Sequence, residues 1–427
     1  MARSILVVSP TPTHPAVAGN RKRIYTMLKA LQEMGAEITF VLDDQEGSGG
    51  HTGALTDYKG MREEWADFYR VQDIVVTAEE EGGSVLRFLQ RTGSLLKDHL
   101  YPLYELLAPV WMNLRMLLFR ESENGEVLDR RPASIDCRYN PLLSRVLEKL
   151  YGEREFDAML VEYVFMSRAL LGFPGNIGVI DTHDVFSGRT EKLRKRRVKN
   201  TFFDTSPEQE GKGLDRAGSI IAIQEEEADF FRGISSSRVV TVGHLTPYLG
   251  NGGYEGSRRS ILFVGAGNAE NIEGLNSFVE EVFRPLTCKG FKCRLYVAGS
   301  VGRHLKEKRE EIIRLGEVAD LAEAYRLADL TVSPINVGTG LKIKIIESFA
   351  YGVPVVGTSH SMTGVPAIFK DCHLSVENET EFRESIEKLL ESPESLKRMH
   401  DSCMQAVEEY YRANRETLKE LFFESVS

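Results

Sequence analysis

Hydrophobic and polar positions along the chain alternate between short apolar runs and amphipathic stretches. Residues 4–9 read SILVVS, a continuous apolar run with β-branched side chains that is typical of a strand buried on both faces of a parallel sheet. After a loop rich in proline and glycine, residues 21–35 place apolar side chains at helical spacing and end on Gly35. Residues 38–42 form the next apolar run. This βαβ pattern predicts a doubly wound α/β domain that binds ligands at the carboxyl ends of its strands.

The same pattern returns in the second half. Residues 261–264 (ILFV) precede a glycine loop, a helical stretch and a further apolar run at 295–298. A glycine-rich stretch separates the two series and predicts a linker. We therefore expect an α/β protein with two Rossmann-like domains facing each other across a cleft. The expected parts are a first domain over 1–247, a linker over 248–258, a second domain over 259–400 and a C-terminal helix over 401–427 that crosses back to the first domain.

Two segments depart from the α/β alternation. Residues 85–120 are helical in pattern, aromatic and flanked by arginines, which fits an insert covering the first sheet or an amphipathic helix at a membrane surface. The insert is favoured, because amphipathic helices more often face a protein core. Residues 188–200, GRTEKLRKRRVKN, carry a basic run. Such a run is usually a solvated helix face, and the alternative is contact with an anionic acceptor or a membrane.

Composition and charge narrow the class of protein. The chain has 427 residues, 42% of them hydrophobic, and a formal net charge of −10, which argues against a nucleic-acid-binding protein. The N-terminus lacks the pattern of a signal peptide, and no long apolar run predicts a membrane span, so we expect a cytoplasmic protein. The five cysteines include no CxxC pair and predict free thiols.

Residues 336–359, NVGTGLKIKIIESFAYGVPVVGTS, carry the strongest chemical signal. Gly338 and Gly340 precede a predicted helix, whose free N–H groups and dipole would receive a diphosphate without a metal. Lys344 and Glu347 lie three residues apart on one helix face. There the carboxylate can accept hydrogen bonds from a vicinal diol while the ammonium contacts a phosphate. The alternative is a plain Lys–Glu ion pair on a solvated face.

A second cluster follows a predicted strand of the first domain. The segment IGVIDTHDVFSGR places Asp181, His183 and Asp184 at the carboxyl end of that strand. Glu162 and Tyr163 end the preceding strand and are expected to face the same crevice. A structural or helix-capping role is the alternative for His183. No metal site is expected, because the three polar residues are nearly contiguous and no second histidine motif accompanies them.

The pattern GTGLKIKIIESFAYGVPVVGT resembles the donor-binding signature of retaining family-four glycosyltransferases, which have the twin-Rossmann GT-B architecture. Three further stretches resemble that family: PTPTHPAVAGNRKR its first glycine loop, VGAGNAENIEG the loop that opens its second domain, and LGEVADLAEAYRLADLTVSP the segment that holds the base. The resemblance implies that Glu347 binds the ribose of a nucleotide sugar. The family often has a partner glutamate eight positions earlier, where this sequence has Thr339. An arginine and a lysine common in the second-domain loop are also absent, and Lys342 or Lys344 would replace them.

The resemblance implies a metal-independent, retaining enzyme that moves a sugar from a nucleoside-diphosphate sugar to an acceptor hydroxyl. The first domain would hold the acceptor and the second the nucleotide sugar. The implied catalytic residues are His183, Asp184 and Lys344, and the implied acceptor-side residues are Glu162, Tyr163 and Arg189. The implied donor-binding residues are Gly19, Asn20, Gly265, Gly267, Asn271, Glu317, Val318, Gly338, Thr339, Gly340, Leu341 and Glu347.

No cofactor is implied beyond the sugar nucleotide as co-substrate. The implied acceptor is a saccharide, a lipid-linked sugar or a protein, in bacterial polysaccharide, glycolipid or glycoconjugate assembly, with peripheral contact at the inner face of the membrane left open. Two other functions remain open. A sugar-nucleotide epimerase of the same architecture would need no second substrate. A catalytically silent, nucleotide-sugar-binding partner subunit would agree with Thr339 and the missing cationic pair.

Overall fold

A computed structural model describes residues 3–16, 18–44, 56–71, 73, 133–191, 203–250, 258–318, 320–336 and 343–424. Three segments singled out from the sequence lie outside the described residues. They are the helical segment predicted over 85–120, the basic run over 192–200 and the glycine loop 337–342, which includes Gly338, Thr339, Gly340, Leu341 and Lys342.

The first half folds into a seven-stranded sheet in which every pair of neighbouring strands is parallel. The strand order is β3-β2-β1-β4-β5-β6-β7. Buried apolar side chains cover both faces, which explains why its strands read as continuous apolar runs. The strands are β1 Arg3–Ser9, β2 Ala36–Leu42, β3 Asp67–Arg70, β4 Ala158–Glu162, β5 Ile177–Asp181, β6 Ser219–Ala222 and β7 Arg238–Thr241.

Helices with side-chain caps pack against this sheet. Asp57, Asn140 and Ser206 each accept a hydrogen bond from a backbone N–H in the first turn of the helix that follows. Gly35 has φ of +97° directly after the first helix, the left-handed conformation expected there. The helices are α1 Gly19–Glu33, α2 Tyr58–Glu64, α3 Pro141–Glu153, α4 Pro207–Leu214 and α5 Glu225–Ile234, with a 3-10 segment at Val164–Leu170.

The second half forms a six-stranded parallel sheet in the order β10-β9-β8-β11-β12-β13. Its strands are β8 Ser260–Val264, β9 Arg294–Ala298, β10 Ile312–Gly316, β11 Leu330–Ser333, β12 Val355–Thr358 and β13 His373–Val376. Its helices are α6 Ala269–Phe278, continued by a π turn at Val279–Phe283 and by α7 Arg284–Cys288, then α8 Leu321–Arg326, α9 Ile343–Ala350, α10 Ser359–Met362 and α11 Glu379–Leu390, with 3-10 segments at Ser300–His304 and Ala367–Phe369.

A long last helix, α12 Pro393–Phe422, touches both halves. Near its middle, Val407 and Tyr410 pack in one apolar cluster with residues of α9. Near its end, Leu418 joins the core on one face of the first sheet. Asn414 lies between these contacts, and its Oδ1 accepts a hydrogen bond of 2.7 Å from the backbone N–H of Gly243. The helix thus ties the second half to the segment that leaves β7.

These features confirm the α/β fold class with two Rossmann-like sheets. In each sheet the strand order reverses beside the strand that comes first in the chain, between β1 and β4 and between β8 and β11. Such reversal points open the crevice in which doubly wound proteins bind ligands. Within the described ranges, the helices are too short or too polar to cross a bilayer.

Candidate functional site

The predicted glycine loop of the first half meets the predicted donor helix of the second half. Gly19 is the first residue of α1 and Ile343 the first residue of α9. A Cβ atom on Gly19 would lie 3.4 Å from Ile343 Cδ1, so the two helix starts are adjacent. Because both helices begin at this point, the positive ends of their dipoles converge there.

Arg23 and Asp181 form a buried ion pair at the first sheet's reversal point. Arg23 lies one turn after the start of α1 and donates from Nε to Asp181 Oδ2 at 2.8 Å and from Nη2 to Oδ1 at 2.7 Å. It also donates to the carbonyl oxygens of Val242 and Gly243. Arg23 was not among the predicted site residues. The RKR run on α1 was the available signal, but the partners are 158 residues apart and only the sheet order brings them together.

His183 and Glu162 form the second pair of this cluster. His183 Nε2 lies 2.6 Å from Glu162 Oε2 and 3.5 Å from Asp181 Oδ2. The Glu162 side chain is fully buried and that of His183 is 6% exposed. Burial raises the pKa of Glu162 to about 7, and the hydrogen bond from His183 partly opposes this shift. Glu162 can therefore gain or lose a proton near neutral pH.

His183 and Tyr163 share an unusual backbone conformation. His183 has φ of +64° and Tyr163 has φ of +69°, values that residues other than glycine rarely adopt. The rings stack with centroids 4.0 Å apart and an interplanar angle of 11°. Asn20 at the start of α1 donates from Nδ2 to the Tyr163 hydroxyl at 3.2 Å. Two strained residues at neighbouring strand ends are typical of a functional site rather than of plain packing.

Glu162, Asp181 and His183 could also be read as a metal site. Their nearest ligand atoms all lie within 4.8 Å of one another, in agreement with the expectation that Glu162 faces the same crevice as Asp181 and His183. However, both Asp181 oxygens already accept hydrogen bonds from Arg23. A bound cation would have to displace that guanidinium or lie beside it. The donor set fits a hydrogen-bonded network better than a metal ion.

Glu347 is buried between the two halves. Its side chain is 9% exposed, and its Oε1 forms an ion pair with Nζ of Lys22 on α1. His244, in the segment after β7, places Nε2 3.9 Å from the same oxygen. The alternative of a Lys344–Glu347 pair on a solvated face is wrong. Lys344 Nζ instead donates to Asn271 Oδ1 at 2.6 Å and lies 5.2 Å from the centre of the Phe263 ring.

His244 is a second residue that the sequence did not single out. Its ring is fully buried, and neither Nδ1 nor Nε2 has a hydrogen-bond partner among the described residues. Burial, with Lys22 and Arg23 nearby, holds the pKa of His244 well below its usual value, so the ring is neutral. A buried imidazole without partners is costly, and here it lies next to the predicted ribose-binding carboxylate.

The loop after β8 is held by its own polar contacts. Gly267 N–H donates to Ser300 Oγ at 2.8 Å, and Asn271 Nδ2 donates to the carbonyl oxygen of Ala266 at 3.0 Å. A Cβ atom on Gly265 would lie 2.8 Å from the Phe263 ring, so this position needs a glycine. The predicted donor residues Gly265 and Gly267 thus lie in the loop that leads into α6, and Asn271 in the first turn of α6 connects this loop to Lys344 on α9.

The remaining predicted residues lie at the margins of this region. Asp184 and Arg189 form an ion pair with each other. Burial lowers the pKa of Arg189, while the negative charge of Glu270 on α6 opposes that shift, so Arg189 lies near the second half. Glu317 is exposed and pairs with Arg303 at 3.2 Å. Glu317 and Val318 directly follow β10, at the far edge of the second sheet.

Comparison with known proteins finds a family match in the second half. Residues 258–392 match the family model described as "Glycosyl transferases group 1". The matched range contains Glu347, Lys344 and the loop after β8, whereas His183 and Glu162 lie before it. No curated protein matches the sequence.

Solved glycosyltransferase structures share the fold of the whole chain. A TarM variant from S. aureus, in complex with fondaparinux, alpha-GlcNAc-glycerol and UDP, aligns over 99% of this chain and 100% of its own, with a TM-score of 0.64 and 10% identity. Sucrose-phosphate synthase from Thermosynechococcus elongatus aligns over 99% and 98%, with a TM-score of 0.59 and 12% identity. HepE from Anabaena, in complex with UDP, aligns over 98% and 99%, with a TM-score of 0.58 and 11% identity. The fold is therefore the twin-Rossmann GT-B fold.

Proposed function

We propose that this protein is a glycosyltransferase that moves a sugar from a nucleoside-diphosphate sugar to an acceptor hydroxyl with retention of anomeric configuration. One observation carries the proposal. Within the range that matches the glycosyl transferases group 1 model, the Glu347 carboxylate lies buried where α9 meets α1 of the other half. A carboxylate in that place can accept hydrogen bonds from both hydroxyls of a ribose.

The donor is proposed to lie along the second half, with its diphosphate at the start of α9. Lys344 and the converging helix dipoles supply positive charge at that point. Gly265 and Gly267 in the loop after β8 and Asn271 in α6 are proposed to line the donor, with Gly338, Thr339, Gly340 and Leu341 before α9. Glu317 and Val318 are proposed to read the base through their backbone. HepE and the TarM variant were both solved with UDP, so UDP-sugars are the first donors to test.

In the proposed reaction, the bond between the sugar C1 and the diphosphate oxygen breaks, and a bond from C1 to the acceptor oxygen forms on the same face. The acceptor proton passes to the departing phosphate oxygen. Negative charge grows on the diphosphate as it leaves, and fixed dipoles and Lys344 stabilise it without reorganisation. His183 is proposed to orient the acceptor or the donor sugar. Glu162 and Tyr163 support the His183 ring, and Asp184 with Arg189 borders the acceptor side.

No metal is assigned a part in this chemistry. The support is that Lys344 and the two helix starts provide the charge that a divalent cation would otherwise supply. The proposed acceptor is a saccharide, free, lipid-linked or protein-bound, in bacterial polysaccharide, glycolipid or glycoconjugate assembly on the cytoplasmic side of the membrane. The TarM variant, solved with fondaparinux and alpha-GlcNAc-glycerol, makes saccharides and polyol glycosides the first acceptors to test.

A transfer assay tests the proposal. The protein is incubated with a panel of nucleotide sugars, with and without acceptor mixtures and EDTA, and released nucleoside diphosphate is measured. We expect one donor to be consumed, faster with an acceptor and equally fast with EDTA, and NMR of the product to show retained anomeric configuration. Conversion of the donor without diphosphate release would identify an epimerase. Binding without consumption of any donor would identify a silent partner subunit.

A further inference from the structure

Lys22 occupies the carboxylate that the proposed donor needs. Its Nζ forms an ion pair with Glu347 Oε1, and the two side chains are 24% and 9% exposed. A carboxylate engaged by an ammonium cannot also accept two hydrogen bonds from a diol at the same oxygen. A diol that donates to Oε1 therefore competes with Lys22 for that oxygen.

The side chain of Lys22 has a second position within reach. Lys22 lies three residues after Gly19 on α1, and Glu347 lies four residues after Ile343 on α9. Gly19 lies close to Ile343, and one turn further along the two helices Lys22 reaches Glu347. From its position on α1, the long flexible side chain of Lys22 can extend to Glu347 or turn back to where the helices begin. That is the place where two dipoles favour an anion.

His244 provides an independent sign that this arrangement is incomplete without a ligand. Its fully buried ring has no hydrogen-bond partner for either nitrogen among the described residues, and Nε2 is 3.9 Å from Glu347 Oε1. A small shift of the carboxylate away from Lys22 would bring it within hydrogen-bond range of the ring. The imidazole N–H would then partly replace the lost ammonium.

We propose that Lys22 is a donor-recognition residue that changes partner: it neutralises Glu347 in the donor-free protein and moves to the donor's diphosphate when the ribose takes the carboxylate. This inference rests on the proposed function, because it assumes a ligand that combines a vicinal diol with an anionic group. It assigns to the first half a direct part in recognising the leaving group. It also explains how a chain without the arginine and lysine expected after β8 can neutralise a diphosphate.

The exchange predicts effects of opposite sign on two ligands. Lys22→Met removes a competitor for Glu347, so uridine, which has the diol but no phosphate, should bind several-fold more tightly. The same change removes a cation from the diphosphate, so UDP should bind at least about tenfold more weakly. If the transfer assay selects another base, the corresponding nucleoside and nucleoside diphosphate replace these probes.

The experiment measures the ratio of the Kd for uridine to the Kd for UDP in wild type and Lys22→Met. Lys29→Met is the matched control, since Lys29 lies on the same helix and pairs with Glu64 at 2.7 Å, away from Glu347. We expect the ratio to fall at least about tenfold in Lys22→Met and to stay unchanged in Lys29→Met. Lys22→Gln, a second neutral variant, should give the same result if Lys22→Met folds poorly.

An unchanged ratio in a folded Lys22 variant would overturn the proposed exchange and leave the proposed function intact. A shift of both affinities in the same direction and to the same extent would also overturn it, because the ratio would again be unchanged. Wild-type protein that binds no nucleoside diphosphate would instead refute the proposed function itself. The two failures are therefore distinguishable.

Discussion

Arg23 donates two hydrogen bonds to the carboxylate of Asp181, and this pair fixes α1 to the end of β5. The next residue back along α1, Lys22, pairs with Glu347 of the other half. Two consecutive cationic residues of α1 thus pair with carboxylates from different halves of the protein. The buried pair is built into the fold, whereas the partly exposed Lys22 can exchange its partner.

Loss of the guanidinium should destabilise the fold strongly. Arg23→Met would leave Asp181 buried and charged without its partner, which costs roughly 3–5 kcal/mol. Chemical denaturation should show this loss. Asp181→Asn in the same chain should restore part of it, because the uncompensated charge is then gone. Arg232→Met is the control: its pairs with Glu225 and Asp229 are exposed, so the change should cost less than about 1 kcal/mol. Equal losses in both variants would contradict this account.

The pair of Glu162 and His183 should set the pH dependence of turnover. Burial raises the pKa of Glu162 to about 7, so its carboxylate is ionised, and accepts from His183 N–H, only above that pH. We expect kcat/KM of the wild type to rise through about pH 7. Glu162→Gln keeps the shape of the side chain but cannot ionise, so this inflection should disappear. An inflection that persists unchanged in a folded Glu162→Gln variant would refute the assignment.

Glu227, buried at the start of α5, should make the fold more stable at low pH. Burial raises its pKa to about 7, an effect that Arg23 opposes and the negative charges of Glu210 and Asp181 reinforce. The folded protein therefore binds this proton more tightly than the unfolded chain does. Its stabilising contribution is fully present below the ordinary pKa of 4.5, declines as the pH rises to about 7 and is lost above that.

Glu227→Gln removes this titration. The free energy of unfolding of the variant should exceed that of the wild type by up to about 3 kcal/mol more at pH 8 than at pH 4.5. Urea denaturation at the two pH values measures the difference. Glu226→Gln, at the preceding and exposed position, should show no such dependence. A pH-independent difference between Glu227→Gln and wild type would contradict the raised pKa.

The contact between Gly243 and the last helix should not tolerate a side chain. A Cβ atom on Gly243 would lie 1.5 Å from the Tyr410 hydroxyl oxygen. Gly243→Ala should therefore lower the free energy of unfolding by roughly 1–3 kcal/mol. Tyr410→Phe in the same chain removes the clashing oxygen and should recover part of that loss. Gly233→Ala is the control, since nothing lies within 4 Å of a Cβ atom there. No recovery in the double variant would show that the clash is not the cause.

Much of the fold could be predicted because its signals are local. Continuous apolar runs marked β1, β2, β8 and β9, and Gly35 marked the end of α1. The reversal points lie beside β1 and β8, the strands whose apolar runs begin the two series. The helix that carries Glu347 was also recognisable from the sequence. It is a short apolar run with glycine residues before it and a Gly-Val-Pro turn after it.

The partners within the site could not be predicted, because they depend on contacts between distant segments. Lys344 and Glu347 are neighbours on α9, and the sequence offered them as a pair. In the structure, Lys344 donates a hydrogen bond to Asn271, and Glu347 forms an ion pair with Lys22. Glu347 was expected inside a packed helix, and its burial is explained by the approach of α1, for which the sequence carries no local signal. His244 lies in no sequence motif that would indicate a place in the site.

The central claim is that Glu347 binds the ribose of a nucleotide sugar, and calorimetry of nucleotide binding tests it most directly. A panel of nucleoside diphosphates is titrated into wild type, Glu347→Gln and the exposed control Glu391→Gln. We expect one diphosphate to bind to wild type and to Glu391→Gln alike, and its affinity to fall at least about tenfold in Glu347→Gln. The 2′,3′-dideoxy form of that nucleotide should bind wild type and Glu347→Gln equally weakly. Undiminished binding of the ribonucleotide to a folded Glu347→Gln variant would contradict the claim.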